Sequence, residues 1–145
     1  MSGKGEGDST SGAGATAEFA RELSGALKGF HRALILAEAG DDPVLRNSPY
    51  SMLFALIADP RFAWMGTLSQ LIAEIDQLQS DGEADDAERI RHLTDRSTNL
   101  IGEGTGADAA GFRLRHVMAL QKEPEVGLAT GLLRRVLAER PSTVR

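Results

Sequence analysis

Apolar residues return at three- and four-residue steps along most of this chain, and no stretch shows the two-residue alternation or the hairpin turns of a β-rich protein. From Glu18 onward Phe19, Leu23, Leu27, Phe30, Leu34 and Ala37 fall on one stripe, which predicts a helix over Ala17–Ala39. Thr16 is placed to cap its start, and Gly40 followed by Asp41-Asp42-Pro43 to end it. Ser48-Pro49 and Asp59-Pro60 each set a short polar cap before a proline at the first helical position, where the missing N–H costs no bond. The first pair predicts a short helix, Tyr50–Ala58, whose MLFALIA centre is apolar nearly all round and is expected to be buried on most sides. The second predicts a longer helix to about Leu78, with Trp64, Leu68, Leu71, Ile72, Ile75 and Leu78 on one face.

Ser80-Asp81-Gly82 reads as a turn, and the acidic run after it suits a helix N-terminus. The helix that follows, to about Ile101, has a thin apolar face (Ala84, Ala87, Ile90, Leu93, Leu100, Ile101) and is expected on the outside of the bundle. A glycine-rich hinge is predicted at 102–107, then a helix over Ala109–Lys122 with Phe112, Val117 and Leu120 inward. After a break at Glu123-Pro124, a last helix runs to about Arg140, where Pro141 stops it. Residues 1–15 hold five Gly, three Ser and no large apolar residue, so they are expected to be a disordered tail. Residues 142–145 are expected to be a C-terminal tail. The fold class is therefore all-α: one helical-bundle domain over 16–141, of about five helices.

The segment NSPYSMLFALIADPRFAWMGTLSQLIAEIDQL resembles small helical proteins of bacterial genomes in which a DP-x-F-x-W-L/M segment leads into an S-x-L-I-x-x-I/L-D helix. The likeness spans about Pro49–Leu78. It implies fold and bacterial origin and no function.

Length and composition narrow the field. At 145 residues the chain suits one domain, and 41% hydrophobic with 26% charged residues is ordinary globular usage. No apolar run approaches the roughly 20 residues that span a bilayer, so no membrane insertion is expected. The N-terminal stretch lacks the apolar segment of a secretory signal, so a cytoplasmic protein is expected. The absence of cysteine removes disulfides, thiolate metal sites and cysteine nucleophiles together. The net charge of −5 is unevenly spread: residues 1–108 carry 9 basic and 18 acidic side chains, residues 109–145 carry 7 and 3.

Candidate chemistry is sparse, and no particular cofactor is implied. Asp85, Glu88, His92 and Asp95, near one another on a helix start, form the best metal-ligand candidate, against the plainer reading of a solvated acidic helix. His31 and His116 could each give a single ligand to haem or another small molecule, or simply pack, while Tyr50, Phe54, Phe62 and Trp64 could line its pocket or fill the core. There is no G-x-S-x-G elbow, and the GEGTGAD stretch lacks the Lys-Ser/Thr of a P-loop, so the reading leans away from an enzyme. Nucleic-acid binding would have to use Arg113, Arg115, His116, Lys122, Arg134, Arg135 and Arg140, a loose set on an otherwise acidic chain, and is disfavoured. On the last helix Leu132, Leu133, Val136 and Leu137, edged by Arg134 and Arg135, make a stripe wide enough for an interaction face. The leading expectation is a regulatory or structural protein acting through protein–protein contact, with a second copy as partner. A small-molecule, haem or metal-binding bundle is the alternative.

Overall fold

The computed structural model describes residues 2–103 and 107–145, and all regular structure within them is helical. Seven α-helices occur among these residues: α1 (Ser2–Ala39), α2 (Pro43–Asn47), α3 (Pro49–Ala58), α4 (Gly66–Ser80), α5 (Ala87–Thr98), α6 (Ala107–Lys122) and α7 (Pro124–Ala138). Short 3-10 turns cover Pro60–Met65 and Ser142–Val144, and a π-turn covers Asn99–Glu103. The count exceeds about five in part because α2 was not expected, and one predicted start is displaced. Asp42 caps a one-turn helix at Pro43, its carboxylate accepting from Val44 N–H at 3.0 Å. The Asp59-Pro60 start yields a 3-10 turn that only becomes α-helical at Gly66.

Helix α1 is the spine. Its predicted stripe is buried throughout, with Leu23, Phe30 and Leu34 fully inaccessible, and α7, α4, α5 and α6 all pack on it. Alanines at 20, 26 and 33 sit among these large residues and let neighbouring backbones come close. Gly40 (φ +54°) ends α1 and Gly82 (φ +70°) ends the turn after α4, both in the left-handed region that glycine enters without a Cβ clash. The helix begins before Ala17 and runs through the stretch composition assigns to a tail. Its side-chain contacts with the rest of the protein are described from Gly12 onward. Thr16 is accordingly not a cap: buried inside α1, it gives its hydroxyl proton to the Gly12 carbonyl and lies 2.8 Å from the hydroxyl of Thr143.

That contact corrects the expectation for residues 142–145. They turn back against α1 and α5, and Val144 is completely buried. Arg140 ties the turn down, reaching Asp95 at 2.8 Å and Thr98 at 3.2 Å on α5. Other seams carry similar clamps: Lys28 on α1 pairs with Asp76 on α4 at 2.9 Å, and Arg96 on α5 with Glu74 on α4 at 2.7 Å.

The predicted turn at Ser80–Gly82 is present, and Asp86 caps α5. Along α5 the hydroxyls of Thr94, Ser97 and Thr98 each bond the carbonyl four residues back, a habit that competes with the helix ladder and bends it. The helix widens into the π-turn directly afterwards. Residues 104–106, the centre of the predicted hinge, lie outside the described residues.

Candidate functional site

Helix α3 departs most from expectation. Ser48 and Pro49 start it as predicted, the Ser48 hydroxyl accepting from Ser51 N–H at 3.3 Å. Only Ala55 of its ten residues is buried, with Met52 and Leu56 partly buried against the core. Tyr50, Leu53, Phe54 and Ile57 are 85, 56, 74 and 79% exposed. They stand at i, i+3, i+4 and i+7, a complete second apolar stripe on the side away from the core. A ten-residue helix held between two proline-marked starts can present only one side to the bundle. The inner side, with Met52, Ala55 and Leu56, packs on α2 and the Pro60–Met65 turn, and the other side faces solvent. Large apolar clusters left in water mark binding surfaces more often than scattered single residues do.

Two smaller apolar surfaces accompany it. On α7, Leu133 and Leu137 are core residues against α1 and Val136 is half-buried, so the predicted interaction face divides. Leu132 stays 51% exposed, and with Leu128, Ala129, Leu36 and Ala33 it lines an open groove of about 360 Å³ between α7 and α1. Arg134 bonds the Ile101 carbonyl at 3.3 Å, whereas Arg135 points to solvent. On α6 the inward residues are Phe112, His116 and Ala119, while Val117 and Leu120, expected inside, are exposed with Leu114 and Met118. The 112, 116, 119 spacing was available in the sequence, but a histidine in the middle of it hid the stripe.

The histidines and aromatic residues do not gather into one pocket. His116 is buried, its ring edge-on to Phe30 at 5.0 Å and tilted to Phe112 at 6.1 Å, with Nε2 2.9 Å from the Thr130 hydroxyl. Burial lowers its pKa, and the Arg134 charge adds to that. Trp64 packs on Phe112 at 5.1 Å and donates from Nε1 to Glu38 at 3.0 Å. Phe62 is buried as well, whereas Tyr50 and Phe54 project outward from α3. His31 stands on the α1 surface facing α4, 3.2 Å from Ser69 Oγ, its pKa lowered by partial burial. These side chains are solid core or separate surface positions, so the proposed grouping of His31, His116, Tyr50 and Trp64 around a ligand is not brought together.

Among the described residues no three His, Asp or Glu groups are placed to hold a metal ion. Glu88, His92 and Asp95 lie along an open cleft of about 690 Å³ between α4 and α5, and Asp85 belongs to a different depression beside Gly82. Several charges in and beside the cleft are paired with one another or bonded to the backbone. Asp86 caps α5 and pairs with Arg89, Arg89 also meets Glu83, Glu74 meets Arg96, and Asp95 meets Arg140. The basic residues are similarly dispersed: His116 is in the core, and Arg134 and Arg140 are spent on internal bonds. No helix among the described residues is long and apolar enough to cross a membrane. No family model matches the chain, and neither the curated proteins nor the solved structures contain a match to it.

Proposed function

We propose that the protein is a non-catalytic binding module that works by pressing an apolar helix face against a protein partner. The observation that carries this reading is the outward stripe of α3, where Tyr50, Phe54 and Ile57 are each at least 74% exposed on a helix without a single charged residue. Leaving such groups in water forgoes roughly 1.5–3 kcal/mol for each large side chain that burial would return. A surface of that kind is stabilised by being covered. The ion pairs Arg89–Glu83, Arg96–Glu74 and Arg140–Asp95 at the α4–α5 cleft support the same reading, since each ties a carboxylate that acid–base chemistry would need free. A regulatory or structural role in the cytoplasm follows as part of the proposal.

The test is site-specific photo-cross-linking with the full chain. A photoreactive phenylalanine in place of Phe54 should give defined protein adducts that mass spectrometry maps to one partner surface. The same group at Gln70, an exposed polar position on α4, should give none. Absence of adducts from Phe54, and equally from Leu132 and Met118, would remove the reading.

A further inference from the structure

The occupant of the α3 face can be named from the face itself. We infer that it is a second copy of the same chain, paired antiparallel about a two-fold axis that passes between Leu53 and Phe54. This rests on the binding-module reading above and specifies its partner.

The first argument is register. The exposed stripe is symmetric about its own midpoint: in an antiparallel pair, Leu53 of one copy meets Phe54 of the other, and Tyr50 meets Ile57. Each contact then sets a large ring against an aliphatic side chain, and all four residues of both copies are covered at once. A parallel pair would stack Tyr50 on Tyr50 and Phe54 on Phe54 and leave uneven gaps between them. Isologous contact of this kind closes on itself and stops at two copies.

The second argument is area. Val44, on the helix α2 that packs against α3, is 65% exposed as well. Five side chains of this exposure offer on the order of 700 Å² per copy. A two-fold pair that covered all of it would bury up to roughly 1,400 Å², which reaches the range of about 1,200–2,000 Å² typical of stable interfaces.

The third argument is charge. Pro49–Ala58 carries none, so two copies meet without burying an ion. Asp59 stands at the C-terminal end of the helix, where it and Asp42 both hold Arg61, at 2.8 and 3.6 Å. A lipid surface fits poorly, because interfacial helices present Lys and Arg on a polar side and α3 has neither the side nor the cations.

Sedimentation equilibrium of the full chain at 1–200 µM, chosen to bracket roughly micromolar affinity, should give an average mass that rises toward twice the 15.5 kDa monomer mass. Phe54→Lys with Ile57→Lys should weaken association by roughly 100-fold or more, because each copy then sets two unpaired charges against Leu53 and Tyr50 of the other. Both positions face water, so the helical circular dichroism and the urea m-value should be unchanged. The cysteine-free background permits a register test. Tyr50→Cys with Ile57→Cys should form a doubly linked dimer on mild oxidation, since two turns of helix keep the two thiols of one chain too far apart to bridge. Tyr50→Cys alone should remain unlinked. A chain that is monomeric at 200 µM overturns the inference. So does a dimer broken by Leu132→Lys and indifferent to the α3 lysines, although it leaves the binding-module reading intact. A monomer whose Phe54 position cross-links to a different protein has the same effect. Binding of neutral or anionic vesicles through α3, with no protein adduct, would overturn both.

Discussion

The Nε2 atom of His116 lies 2.9 Å from the Thr130 hydroxyl, and that hydroxyl lies 2.6 Å from the carbonyl of Val126. A hydroxyl has one proton to give, so Thr130 donates to Val126 and accepts from His116, which fixes the imidazole as the Nε2–H tautomer. Thr130→Val preserves the side-chain shape and removes the acceptor. The buried N–H is then unmatched, and stability should fall by about 1–3 kcal/mol. Urea titration at constant m-value measures this, and an unchanged midpoint would show that the bond contributes nothing.

Burial holds the His116 pKa below 6.5, with the Arg134 charge acting in the same direction, and burial lowers His31 too. The unfolded chain therefore takes up protons at these sites at a higher pH than the folded one does. Stability from them is complete above about pH 6.5 and declines as pH drops through that value toward the folded pKa. The urea midpoint should fall between pH 7.5 and pH 5.5, and His116→Phe should flatten the decline. Proton NMR titration placing the His116 pKa at or above 6.5 would contradict this.

Trp64 joins α1 to the aromatic core through its bond to Glu38 and its contact with Phe112. Trp64→Phe loses the donor and part of the ring, so a loss of roughly 1–3 kcal/mol is expected. Glu38→Gln keeps an acceptor oxygen and should cost less than half as much. Equal losses in chemical denaturation would mean that the carboxylate charge, and not the hydrogen bond, holds the indole.

Neighbouring leucines on α7 should behave oppositely. Leu133 is completely buried and Leu132 is 51% exposed. Leu133→Ala should destabilise by about 2–5 kcal/mol, whereas Leu132→Ala should stay within about 0.5 kcal/mol. Thermal melts of the two variants at equal concentration separate them, and similar losses would refute the division of the α7 stripe.

Val144, the last residue but one of this sequence, is fully buried, and Thr143 bonds Thr16. Val144→Asp should cost at least the roughly 1.5–3 kcal/mol of burying a valine, with the desolvated carboxylate adding to it. Amide exchange should show residues 142–144 protected in the parent protein. Rapid exchange there would restore the view of a tail.

The periodicity of the chain was enough for the class of fold and for several element ends. The α1 stripe from Phe19 to Ala37, the proline starts after Ser48 and Asp59, and the glycine ends at Gly40 and Gly82 all depend on local physics, on caps and backbone angles that neighbours in sequence decide. Which side of an apolar helix meets the core is a different kind of question. Helix α3 has two apolar sides, and composition cannot choose between them. The packing chose Met52, Ala55 and Leu56 for the inside and left Tyr50, Leu53, Phe54 and Ile57 outside. The α7 stripe was divided by the same rule, and on α6 the core accepted His116 because Thr130 of another helix offered it an acceptor.

The sequence by itself determined that this protein is helical, where several helices begin or end, and that no cysteine chemistry is available to it. Only the tertiary structure decided that Val144 is core, that Asp95 of α5 is held by Arg140, and that the apolar centre of α3 faces water. Each of those outcomes depends on groups distant in sequence competing for one limited interior, and a contact of that kind leaves no periodic trace in the chain.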